Sequence, residues 1–107
     1  MKSNLNITLI QSDLFWENVN SNLFNFGKLI SNIKDTDIIL MPEMFNTAFC
    51  PKSSHLAESM DGKTINWMKD ISKAKGCAIV GTLMIKEGGN IFNRLVWISK
   101  NGTIYTY

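Results

Sequence analysis

Leu5, Ile7 and Leu9 alternate with Asn6 and Thr8, and Ile10 follows, which predicts a β-strand with one strongly apolar face. Gln11-Ser12-Asp13 ends it. Val19, Leu23, Phe26, Ile30 and Ile33 then recur every three or four residues, the stripe of an amphipathic helix lying on a sheet. Asn18 is placed to cap that helix. Gly27 weakens it slightly and is read as a point of close packing. From Asp37 to Met41 the alternation disappears, and the apolar run predicts a strand covered on both faces, as in parallel sheets. Pro42 has no N–H and stops the ladder. Strand, helix and strand together make a βαβ unit.

Asn46 to Asp61 shows little periodicity and reads as a long loop, a kind of segment that often carries function. A second helix is predicted over Thr64 to Lys75, with Trp67, Ile71 and Ala74 on one face and Ile65 and Met68 beside it. Gly76 is a natural C-terminal stop. Cys77 to Leu83 is a further buried strand, and Lys86 to Asn90 a turn. Phe92 to Ser99 and Thr103 to Tyr107 form a hairpin across Lys100-Asn101-Gly102, with positive φ expected at both Asn101 and Gly102. The predicted order is β-α-β-α-β-β-β, an α/β chain with no linker or repeat.

Composition narrows the class. A length of 107 residues, 45% of them hydrophobic and 19% charged, fits one globular domain over 1–107 with a thin core. The net charge of +2 is spread along the chain. Lys69, Lys73 and Lys75 read as a solvated helix face, and no basic stripe with interleaved aromatics suggests nucleic acid as a partner. The first residues lack an apolar signal region, and no apolar run approaches a membrane span. Cys50 and Cys77 are too far apart for a CxxC pair, and no second pair suggests zinc. A cytoplasmic setting without membrane contact follows as the expectation. No GxGxxG or phosphate-loop motif is present, so no nucleotide cofactor is expected, and no metal is expected because no ligand set surrounds His55, the only histidine.

One residue stands out chemically. Glu43 follows Pro42 at the carboxyl end of a predicted buried strand, where open α/β folds place their ligands. Met44, Phe45 and Phe49 would partly bury it, disfavour its charged form and raise its pKa toward that of a general base. Position alone equally allows a loop glutamate that accepts backbone N–H bonds. His55, the only histidine, lies among polar loop residues and is expected to be solvated. Cys50 lies near the same loop but has no activating partner, and Cys77 is expected to be a packing residue. Trp16, Trp67 and Trp97 are expected in the core or at an interface.

The run Ile38-Ile39-Leu40-Met41-Pro42-Glu43-Met44-Phe45, preceded by a strand with Gln11 and followed by Phe49, resembles the nitrilase, or carbon–nitrogen hydrolase, superfamily. Asn66-Trp67-Met68, Ile79-Val80-Gly81-Thr82, Phe92-Asn93-Arg94 and Gly102 to Tyr107 extend the resemblance over essentially the whole chain. The pattern is most similar to the omega-amidase-like branch, whose members release ammonia from 2-oxo acid amides, with a nitrilase or N-carbamoyl amidase branch, or a non-catalytic module that associates through its exposed sheet, as the alternatives.

The resemblance implies a four-layer α-β-β-α sandwich, paired into dimers or larger oligomers, of which this chain is an N-terminal, incomplete part. It implies a small-molecule amide substrate and a Glu-Lys-Cys site without cofactor, with Glu43 as the catalytic glutamate. Phe45 and Phe49 are candidate substrate contacts. The family lysine comes just after the tyrosine that Tyr107 matches, and the family cysteine much later, so neither has a counterpart here. The 107-residue chain alone is therefore expected to be inactive, and its inner sheet face to lack a partner sheet. Asn93 is read as architectural. Ala48 stands where the family often has glycine, which bears on the loop after Glu43 because glycine admits φ values that alanine resists.

Overall fold

The computed structural model describes residues 4–48 and 54–107. Five strands form one sheet in sequential order: β1 (Ile7–Leu9), β2 (Ile38–Leu40), β3 (Ala78–Glu87), β4 (Asn90–Ile98) and β5 (Ile104–Thr106). β1, β2 and β3 are mutually parallel, and β4 and β5 continue as an antiparallel meander. Helix α1 (Val19–Ser31) connects β1 to β2, and α2 (Lys63–Lys75) precedes β3. The observed order is the expected β-α-β-α-β-β-β.

The helices pack on one face of the sheet. There Leu23, Phe26 and Ile30 of α1 and Ile65 and Met68 of α2 meet Ile39, Ile79, Leu83, Ile85, Val96 and Ile98 in one buried cluster. Asn18 caps α1 as predicted, its side chain accepting the Ser21 N–H at 3.0 Å. Gly76, with φ of 63°, ends α2 in a left-handed cap.

The buried face of α2 differs from the predicted one. It is centred on Ile65, Met68 and Ser72, with Thr64 beside them, and Ala74 is exposed. Thr64 and Ser72 can be buried because their hydroxyls are bonded: Ser72 Oγ donates to the carbonyls of Cys77 (2.6 Å) and Ser99 (3.2 Å). Gly27 is not a close-packing point, since a Cβ placed there would meet nothing within 4 Å. It opens instead on a groove of about 710 Å³ between α1 and α2. Lys75 is not simply solvated, because its ammonium donates to the carbonyls of Ser31 (3.2 Å) and Ile33 (3.0 Å) at the C-terminal end of α1, the favourable end for a cation. Trp16 is mostly exposed rather than in the core.

The turns also divide differently. β3 and β4 pair out to Glu87 and Asn90, so the two-residue turn is Gly88-Gly89, both at positive φ (59° and 82°). At Lys100-Asn101-Gly102 only Gly102 has positive φ. Ser99 O accepts the Gly102 N–H and Ser99 N–H donates to Thr103 O, the pattern of a three-residue turn with a bulge, which needs a left-handed residue only at its last position.

Among the described residues, no helix lies on the second face of the sheet. Leu5, Ile7 and Leu9 lie there, exposed by 65%, 51% and 70%. Through the registers Ile7↔Ile38, Leu9↔Leu40, Leu40↔Val80 and Val80↔Trp97 they share that face with the other strands. β2 is therefore covered on one side only: Ile39 is fully buried, whereas Ile38 and Leu40 are half-buried.

Candidate active site

β2 delivers Glu43 to the carboxyl end of the parallel strands. The last β2–β3 bond runs from Met41 N–H to Val80 O at 2.8 Å, and Pro42 has no N–H to offer on the β1 side. The chain then turns over Glu43 to Thr47. Glu43 lines a cleft of about 490 Å³ on the open face of the sheet, together with Leu9, Gln11, Leu40, Val80, Thr82 and Leu95. Apart from Gln11 and Thr82 the walls are apolar, and a single carboxylate stands among them, so the cleft can hold a small organic molecule against one ionisable proton acceptor.

Two sequence expectations fail here. Glu43 is exposed rather than partly buried by its neighbours. Phe45, a candidate substrate contact, is fully buried in the core beneath the helices. Its ring lies 6.0 Å from Phe26 in an edge-on arrangement (77°) and 6.0 Å from Trp67. The reason is the turn: it swings Met44 and Phe45 inward and away from the carboxylate. Gly81 makes room for the ring, since a Cβ there would come within 2.6 Å of Phe45 Cε1. Phe49 and Cys50 lie outside the described residues.

The adjacent residue, Thr82, acts on the opposite face of β3. Its hydroxyl accepts the Met44 N–H at 2.9 Å. Met44 has φ of 50° and Ala48 φ of 66°, both left-handed, and the N–H groups of Thr47 (3.2 Å) and Ala48 (2.9 Å) donate to Met44 O. The expectation about Ala48 thus has a concrete counterpart, an alanine in the conformation that glycine favours.

A buried polar chain fixes the far end of the turn. Asn46 Nδ2 donates to Thr64 Oγ1 (3.0 Å) and Glu58 Oε2 (3.3 Å). Glu58 also accepts the Thr64 N–H (2.7 Å) and hydroxyl (2.6 Å), so it serves as the side-chain cap that Gly62 cannot provide for α2. Asn22 of α1 donates to Asn46 O at 2.9 Å and pairs with the Phe15 backbone. Asn46 Oδ1 is buried with no hydrogen-bond partner among the described residues. Sequence reasoning missed this chain because its members are polar residues outside any apolar stripe.

The remaining candidates lie elsewhere. Cys77 is 1% exposed, and burial pushes its thiol up despite the opposing effect of Lys75, with Asp37 adding to the rise. That suits a packing residue and not a thiolate nucleophile. His55 is largely exposed, 3.7 Å from a Glu17 carboxylate oxygen. Asn93 is exposed on β4. Among the described residues no cluster of His, Cys, Asp and Glu could hold a metal ion, and no helix is long and apolar enough to cross a membrane.

The carbon–nitrogen hydrolase family model matches residues 6–107. The omega-amidase YafV of Yersinia enterocolitica is 30% identical over 105 residues, which are 98% of this chain and 41% of that protein. Its counterpart in Escherichia coli K12 is 28% identical, over 96% of this chain and 40% of that one. Among solved structures, a CN-hydrolase superfamily protein of Xanthomonas campestris superposes with a TM-score of 0.93 at 30% identity, over 96% of this chain and 39% of its own. A carbon–nitrogen hydrolase of Helicobacter pylori shares the fold at a TM-score of 0.82 and 15% identity, over 96% and 38% of the two chains. The chain thus spans about two fifths of the length of the curated relatives it matches.

Proposed function

The chain belongs to the carbon–nitrogen hydrolase family, and from that premise we propose that it carries the general base, Glu43, of an omega-amidase that hydrolyses 2-oxo acid amides to 2-oxo acids and ammonia. The observation that supports this most is the placement of Glu43: one carboxylate in a largely apolar cleft at the carboxyl ends of parallel strands. Similarity to two omega-amidases supports the substrate class.

In this reading a thiolate attacks the amide carbon, and Glu43 takes the thiol proton and passes it to the departing ammonia. A lysine holds the oxyanion, and water then cleaves the thioester with Glu43 again as base. Neither that cysteine nor that lysine has a matching position among these residues. In the protein expressed from its own gene, Glu43→Gln should lower kcat for ammonia release from 2-oxoglutaramate by about 10²–10⁴-fold. Equal turnover by Glu43→Gln would refute the assignment. The 107-residue chain alone is expected to release no ammonia from the same substrate.

The open sheet face favours a second reading, in which the chain is a non-catalytic module that associates through Leu5, Ile7, Leu9 and their neighbours. A homodimer or larger assembly belongs to either reading.

A further inference from the structure

We propose that Thr82 is a positioning residue for Glu43, an inference that rests on the general-base reading above. Backbone pairing between β2 and β3 ends at Met41 N–H···O Val80, where the chain leaves the strand in the turn over Glu43 to Thr47. Beyond that point the chain carrying Glu43 would be free to swing on the open face of the sheet. It is held by two consecutive residues of β3, which point to opposite faces. On the helix face, bare Gly81 seats the Phe45 ring. On the cleft face, the Thr82 hydroxyl accepts the Met44 N–H at 2.9 Å.

This bond does what the interrupted ladder no longer can. It fixes Met44 at φ of 50°, a left-handed conformation unfavourable for a side chain of its kind, and so sets the direction in which Glu43 leaves the strand. Thr82 and Glu43 line the same cleft. A general base must sit within hydrogen-bond reach of its proton, so misaiming the carboxylate affects the chemical step more than substrate binding.

The test compares Thr82→Val, which keeps the shape and removes the acceptor, with Thr82→Ser, which keeps the acceptor, in the protein expressed from its own gene. Thr82→Val should lower kcat for 2-oxoglutaramate by roughly 10- to 100-fold with little change in KM. Thr82→Ser should restore most of the rate. The Met44 amide should exchange its hydrogen at least about tenfold faster in Thr82→Val than in Thr82→Ser. Wild-type kcat in Thr82→Val, or equal losses in both variants, would overturn the positioning role. If Glu43→Gln is inactive while Thr82→Val is normal, only the positioning role falls. If Glu43→Gln is fully active, the general-base reading falls and the positioning role with it, whereas Met44 exchange still reports whether the clamp exists.

Discussion

At Ala48 the backbone holds φ of 66°, in a turn whose start is set by Met44 at φ of 50°. A Cβ in the left-handed region costs about 1–2 kcal/mol. Glycine would relieve that strain but would add about 0.4–1 kcal/mol of unfolded-state entropy. Ala48→Gly is therefore expected to raise stability by about 0–1.6 kcal/mol, the difference between these opposing effects. Thermal unfolding of the two proteins checks this, and a lower Tm in the variant would contradict the strain assigned to Ala48. The position of this residue was legible only through the family resemblance, which implies a glycine where this chain has alanine. The exposure of Glu43 was not legible. Aromatic neighbours in sequence suggested cover, but the turn sends Met44 and Phe45 to the core instead.

At the scale of elements, α2 begins at a glycine with no side-chain cap of its own. Glu58, from the preceding segment, takes over that task and at the same time accepts from Asn46 of the Glu43 turn. The segment is itself pinned to the sheet by Glu58 N–H to Met84 O (3.1 Å) and Lys86 N–H to Glu58 O (2.8 Å). Glu58→Ala would remove the acceptor of the Thr64 N–H and hydroxyl and of one of the two Asn46 amide donors, the other staying on Thr64 Oγ1, with an expected loss of about 2–3 kcal/mol. Chemical denaturation measures it, and a loss no larger than that of an exposed control such as Glu87→Ala would count against the shared cap. The helices were predictable from their stripes because apolar spacing encodes which face is buried. The centre of the α2 face was not, because Thr64 and Ser72 are buried through bonds to distant backbone and side chains.

At the scale of the whole molecule, one face of the sheet is packed under two helices and the other is open. Val80 and Met84 are buried within the open face, but Leu5, Ile7, Leu9 and Tyr105 are exposed. An apolar surface of this kind drives association. The 107-residue chain is expected to self-associate as its concentration rises, and Ile7→Lys with Leu9→Lys to shift it toward monomer; light scattering distinguishes the two. A monomeric chain at all concentrations would count against the second functional reading. The sequence by itself determined the element order, the helix cap at Asn18, the stop at Gly76 and the strand end that carries Glu43, because each depends on local spacing or on a single residue's backbone chemistry. Only the tertiary structure decided that Glu43 is exposed, that Phe45 belongs to the core and that Thr82 and Glu58 hold the turn between them. Those facts depend on which distant side chains meet across the sheet, and a linear pattern of polar and apolar positions does not encode such meetings.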